Sequence, residues 1–207
     1  MLGADEQAEW NGVGRLNFGG GFCTGALIAP DLVITAAHCL FAGRTGAALL
    51  PERVHFVAGY RLGEHKGHST AAKLTPHPDY RFTRKPGGVD IAADLALARL
   101  ETKLAPAPFG LAPALETGDE VTILSYGRDR PEIPSLQSSC RVSVRRGAMA
   151  ALDCDVTYGV SGAPVFRRIG DEWRIVAIVS AMGDWGGRPH AFAAVLEDAL
   201  PALLAVE

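Results

Sequence analysis

The run Leu32-Val33-Ile34-Thr35-Ala36-Ala37-His38-Cys39 constrains this chain more than any other stretch. A short apolar, β-branched segment of this kind reads as a buried strand, and here it stops at a histidine followed at once by a cysteine. A second cysteine opens Cys23-Thr24-Gly25-Ala26-Leu27-Ile28, and the two cysteines stand 16 positions apart. A disulfide between them would pin His38 at the end of a hairpin, where an imidazole is held rigidly. Further along, Gly159-Val160-Ser161-Gly162-Ala163-Pro164 sets a serine in a glycine-rich turn, and Asp94-Leu95-Ala96-Leu97 sets an acid at the head of another apolar run. Neutral serine is a poor nucleophile, and a base must take its proton as it attacks. Histidine, acid and serine are the residue types such chemistry requires.

In that chain order the three motifs resemble the chymotrypsin- and trypsin-like serine peptidases, from about Trp10 to the end of the sequence. The resemblance implies an all-β fold of two packed antiparallel six-stranded β-barrels with a C-terminal α-helix. It divides the chain into an extension at 1–9, a first barrel at 10–105 with His38 and Asp94, a connection at 106–118 and a second barrel at 119–207 with Ser161. The implied activity is serine endopeptidase hydrolysis of polypeptide substrates. The alternative is a catalytically silent homologue serving as a binding domain.

His38 is then the base, Asp94 the acid that fixes its tautomer and Ser161 the nucleophile, with the amides of Gly159 and Ser161 as oxyanion donors. Asp90 competes for the acid's role, but the family places its acid directly before an apolar strand, which favours Asp94. The run Ile178-Val179-Ser180 resembles the strand that hydrogen-bonds substrate backbone, with Ser180 contacting the acid and Ala181 and Met182 lining the groove. The turn around Ser161 also approximates the nucleophile elbow of α/β-hydrolases, which place acid and histidine after the serine. Too little chain follows Ser161 for that fold.

Several positions depart from the trypsin pattern. Val160 stands where those enzymes carry the acid that pairs with a newly cut N-terminus, so that ion-pair switch is not expected. The stretch Cys154-Asp155-Val156…Gly159-Val160-Ser161-Gly162 resembles bacterial members related to the glutamyl endopeptidases more closely. Cys154 can pair with Cys140 across a hairpin. Asp155, six positions before Ser161, matches the acid at the floor of the primary pocket and would favour Arg or Lys substrates. His190 falls near the pocket's back wall, where it would neutralise Asp155 or meet an acidic substrate. A preference for small or apolar residues stays open as the alternative, ahead of an acidic one. Arg61-Leu62-Gly63-Glu64-His65 resembles the start of a calcium loop but lacks a second carboxylate, and His65 with His68 makes no ligand set. Neither a metal nor a cofactor is expected.

Short apolar or β-branched runs at 22–28, 32–36, 54–58, 95–100, 121–126, 140–144, 164–169 and 173–180 predict strands, separated by Gly, Pro and Asp turns. Gly19-Gly20-Gly21 predicts a hairpin tip, and the alternate prolines of Ala105–Gly110 suit a connection rather than a central strand. Leu196, Ala199, Leu200, Leu203 and Leu204 recur at helical spacing. Pro201 is tolerated near a helix start, which predicts a helix beginning near Asp198.

With 48% apolar residues the 207-residue chain can bury a sizeable core, and a formal charge of −3 with mixed signs excludes a nucleic-acid footprint. No apolar run reaches the length of a membrane span. The opening residues do not read as a signal peptide. Four cysteines in two plausible pairs nonetheless suggest an oxidising compartment, secreted or periplasmic, and a monomer is expected.

Overall fold

The computed structural model describes every residue except 4, 85–89, 113 and 156; Val156 of the motif above therefore lies outside the described residues. Six strands form the first unit: β1 (Val13–Phe18), β2 (Gly21–Ala29), β3 (Leu32–Thr35), β4 (His55–Ala58), β5 (Gly67–Pro76) and β6 (Ala96–Leu100). They close into an antiparallel barrel in the order β1-β2-β3-β6-β5-β4. Gly19 and Gly20 make the β1–β2 turn, since Phe18 pairs with Gly21. Leu16, Leu27, Ile34, Phe56 and Leu97 are fully buried and fill this barrel.

The chain then crosses to β7 (Gly110–Leu111), β8 (Glu120–Gly127), β9 (Arg130–Arg146), β10 (Met149–Leu152), β11 (Pro164–Ile169), β12 (Glu172–Trp185) and β13 (Arg188–Val195). Their order is β11-β8-β9-β10-β13-β12-β7, and a further β11–β12 pairing closes six of them into a second, barrel-like sheet with β7 added at the side of β12. Val121, Ile123, Val142, Leu152, Val165, Val176, Val179 and Val195 form its core. The two-barrel architecture and closing helix read from the sequence are thus present.

The closing helix α1 spans Leu196–Leu204, two positions earlier than the sequence suggests, with Pro201 inside it. Burial explains the difference. Leu196, Ala199 and Leu203 form the buried face of the helix, and this apolar contact outweighs the single backbone bond that proline removes.

Two disulfides tie the chain locally. Cys23–Cys39 joins the first barrel's hairpin to the turn holding His38, and Cys140–Cys154 joins β9 to the segment after β10. No free cysteine remains among the described residues. Among the described residues no helix is long and apolar enough to cross a membrane.

Three of the described residues before β1 pack into the fold. Leu2, Gln7 and Trp10 are buried, and the Leu2 amide donates to the Pro134 carbonyl at 2.9 Å. Trp10 meets Phe109, Phe166 and Trp173 in tilted or edge-on contacts at centroid distances of 6.1, 5.1 and 5.4 Å, within an apolar cluster that draws residues from both barrels.

Candidate active site

Each candidate side chain stands where a strand ends. β3 stops at Thr35, Ala36 and Ala37 are fully buried, and the chain turns through a short 3₁₀ segment, Ala37–Leu40, that contains His38. Asp94 caps another 3₁₀ turn, Ile91–Ala93, just before β6. β3 and β6 are hydrogen-bonded neighbours, with Thr35 opposite Ala96. Adjacent strands therefore bring histidine and acid together at the same barrel rim.

The contacts are specific. The backbone amide of His38 donates to Asp94 Oδ1 at 2.8 Å, and His38 Nδ1 lies 2.7 Å from Asp94 Oδ2. The Asp94 side chain is 0% exposed, whereas that of His38 is 26% exposed. A buried carboxylate must be satisfied by donors, and Asp94 has a third in the Ser180 hydroxyl, 2.5 Å from Oδ2. With Nδ1–H committed to the carboxylate, Nε2 is the nitrogen left to accept a proton. Tyr80 is buried nearby, and burial together with the Asp94 charge pushes its phenol well above the usual range. Asp90 stands at the N-cap position of the same short turn and makes no side-chain capping hydrogen bond there.

Ser161 enters from the second barrel. It and His38 line one cleft of about 710 Å³. The loop carrying it is fixed on both sides. The Gly162 amide donates to the Val179 carbonyl at 2.8 Å, and the Thr24 amide donates to the Ser161 carbonyl at 2.9 Å. Gly159 has φ of +96° and Gly162 +78°, a left-handed backbone that favours glycine. A Cβ on Gly162 would stand 2.2 Å from Thr35 Oγ1 and 2.3 Å from the Thr24 carbonyl. The Arg128 amide donates to the Tyr158 carbonyl at 2.7 Å. Because a trans peptide sets C=O and N–H in opposite directions, the Gly159 N–H points away from Arg128.

A second pocket of about 400 Å³ opens beside Ser161, lined by Thr157, Tyr158, Val160, Ser161, Val179, Ser180, Ala181 and Met182. The sequence reading brings Ser180, Ala181 and Met182 to this site, and the structure places all three here. Register in β12 shifts between Val179 and Ala181 against β13, a bulge that re-aims Ser180 toward Asp94. On its other edge β12 is paired with β11 only as far as Ile178, so Ala181 and Met182 lie beyond that pairing.

Neither Asp155 nor His190 is among the described residues that line this pocket. Asp155 is exposed. His190 is buried, its Nε2 2.8 Å from Ser143 Oγ and its Nδ1 3.0 Å from the Arg188 carbonyl. Thr24 went unremarked in the sequence. An uncharged residue within an apolar run signals little until its partners, far away in the chain, are known.

A closed six-stranded barrel and a second barrel-like sheet, with an Asp–His pair facing a serine loop, define the trypsin-like class of fold. The family model of the trypsin-like peptidase domain matches residues 23–178, and the chain belongs to that family. It is similar to human transmembrane protease serine 5, with 30% identity over 213 residues, covering 84% of this chain and 44% of that protein. Trypsin of Saccharopolyspora erythraea is 32% identical over 113 residues, covering 51% of this chain and 44% of the relative. Rat serine protease 23 is 28% identical over 199 residues, covering 82% and 51%. The chain thus spans about half the length, or less, of these curated relatives. Among solved structures, a Glu endopeptidase in complex with MPD superposes with a TM-score of 0.80 at 18% identity, over 100% of this chain and 95% of that one. This likeness concerns the fold.

Proposed function

We propose that this chain is a serine endopeptidase acting on polypeptides, with Ser161 as nucleophile, His38 as base and then acid, and Asp94 as the group that orients the imidazole. The observation carrying this reading is the fully buried Asp94 carboxylate, held by the His38 amide, His38 Nδ1 and Ser180, with Ser161 and His38 on one cleft. Ser161 Oγ attacks the peptide carbonyl while His38 Nε2 takes its proton. The Gly159 and Ser161 amides receive the oxyanion; one such donor contributes about 10²–10³ in turnover. His38 returns the proton to the departing amine, leaving an ester on Ser161. Water then attacks that ester by the same route, releasing the acid and restoring Ser161.

The substrate backbone adds as an extended strand beside Ala181 and Met182. The described lining of the pocket beside Ser161 holds no charged side chain, which favours an uncharged, apolar residue at the cleaved bond over a basic or acidic one. Two disulfides favour a secreted or periplasmic setting.

The test is labelling with a fluorophosphonate, followed by cleavage profiling on a mixed peptide library. Ser161 should carry the probe, and Ser161→Ala and His38→Ala should lose hydrolysis by several orders of magnitude. Cleavage should follow apolar residues. An unlabelled Ser161 in folded protein would refute the enzyme, and a preference for Arg, Lys or Glu would refute the pocket assignment.

A further inference from the structure

We infer that Thr24, on the first barrel, is the positioning residue that orders the nucleophile loop of the second, in the place where an N-terminal ion pair is missing. The inference rests on the peptidase reading above. Thr24 is 0% exposed in β2, and a buried polar residue must find partners. Its amide donates to the Ser161 carbonyl at 2.9 Å, and its carbonyl accepts from Thr35 Oγ1 at 2.9 Å. Its hydroxyl donates to the Gly159 carbonyl at 3.4 Å and accepts from the Tyr126 amide at 3.0 Å. Every polar group of Thr24 is thereby used.

The two carbonyls that Thr24 holds flank Val160. That side chain is 2% exposed and packed among the second barrel's apolar residues. An apolar core contact there leaves no acid at this position for an ammonium to meet. The conformation of Gly159 is instead set by its neighbours. Arg128 holds the carbonyl preceding it, and the Thr24 hydroxyl holds its own. Fixing both peptide planes fixes the direction of the Gly159 N–H, one of the two proposed oxyanion donors.

Any residue at this position would keep the backbone bonds, so the hydroxyl is the testable part. Thr24→Val leaves the Tyr126 amide and the Gly159 carbonyl buried without that partner. The expected result is a kcat lower by about 10- to 100-fold with KM within about twofold, because an oxyanion donor acts mainly in the transition state. Affinity for a peptide boronate, which presents the oxyanion, should fall in parallel with kcat. Thr24→Ser restores the hydroxyl and should recover most of the rate. Wild-type kcat in Thr24→Val, or equal losses in Val and Ser variants, would overturn the inference.

Should Thr24→Val fail to fold, acetylation of the N-terminus of the unaltered protein gives an independent reading. Turnover should be unchanged, and its abolition in folded protein would assign the ordering to the ammonium instead. If the unaltered protein neither hydrolyses peptides nor takes the fluorophosphonate, the peptidase reading has failed. Amide hydrogen exchange at 159–162 then decides this inference alone. Faster exchange in the Val variant than in the Ser variant supports it, and identical exchange overturns it.

Discussion

Asp94 and Asp90 lie four positions apart, and Asp94 is the one whose carboxylate holds His38. Asp94 is fully buried and makes two contacts with His38, one through the backbone amide and one through the ring. An amide in its place would present the wrong partner to Nδ1 and stabilise the wrong tautomer. Asp94→Asn should therefore lower kcat by about 10⁴, while Asp90→Asn stays within about twofold, as steady-state kinetics on a common substrate would show. The reverse pattern would reassign the acid. At this scale the sequence was informative where a motif is local. His38 beside Cys39, Ser161 between glycines and an acid at the head of an apolar run all announce themselves. Thr24 does not, because its meaning lies in bonds to Gly159, Ser161 and Tyr126. Asp155 is exposed, and counting back from Ser161 assigns it a place only where the loop follows the family's path; a cysteine at 154 rather than nearer the serine departs from that pattern.

Strands were legible in proportion to their apolar density. β3 is apolar up to its closing Thr35, β6 is apolar but for Arg99 and β11 opens on an apolar Pro164–Phe166 run, and the sequence places all three to within a residue or so. β5, with the sequence Gly-His-Ser-Thr-Ala-Ala-Lys-Leu-Thr-Pro, was not read at all. Its inward positions are Ser69, Ala71 and Thr75, too small or polar to produce an apolar alternation. β9 runs from Arg130 to Arg146 through two prolines and several charges, and only its Cys140–Val144 portion reads as strand. Its length follows from having two partners, β8 for one part and β10 for the other, a circumstance local pattern does not encode. The loop between Val160 and Ala163 is positioned by such neighbours too, and this makes Gly162 sensitive. A methyl group there meets Thr35 Oγ1 at 2.2 Å and the Thr24 carbonyl at 2.3 Å, on a backbone with φ of +78°. Both atoms belong to the first barrel, and one is backbone with little room to shift. Gly162→Ala should thus destabilise by more than about 2 kcal/mol and abolish probe labelling of Ser161. Thermal unfolding and fluorophosphonate labelling measure the two effects, and an unchanged melt would show that the loop yields.

Neither disulfide crosses from one barrel to the other, so the cleft is kept in register by non-covalent contacts. Thr24 supplies one at the active-site loop and the aromatic cluster around Trp10 a second at the seam. A third lies at Glu207, beyond α1. The helix rests on the second barrel's β12 and β13, while the Glu207 carboxylate accepts from Thr75 Oγ1 in β5 at 2.5 Å and from Arg99 Nε in β6 at 3.0 Å. Desolvation alone would raise the pKa of this carboxyl. The hydrogen bonds from Thr75 and Arg99, aided by the charges of Lys73 and Arg99, outweigh that and hold it below its ordinary value. A carboxyl whose pKa is depressed in the folded state contributes stability that is present above its unfolded pKa and lost as pH falls through the folded one. The Glu207 side chain is 9% exposed but Arg99 is 40% exposed, so solvent screening limits the contribution to about 1 kcal/mol. Glu207→Gln should accordingly melt a few degrees lower than the unaltered protein near neutral pH. The two melting temperatures should converge as pH falls below about 4, where the native carboxyl takes up its proton and loses the advantage of charge. Melting curves collected across that range decide the matter. A gap that persisted undiminished in acid would mean that Glu207 acts through packing alone and that its ion pairs do not clamp the helix to the first barrel.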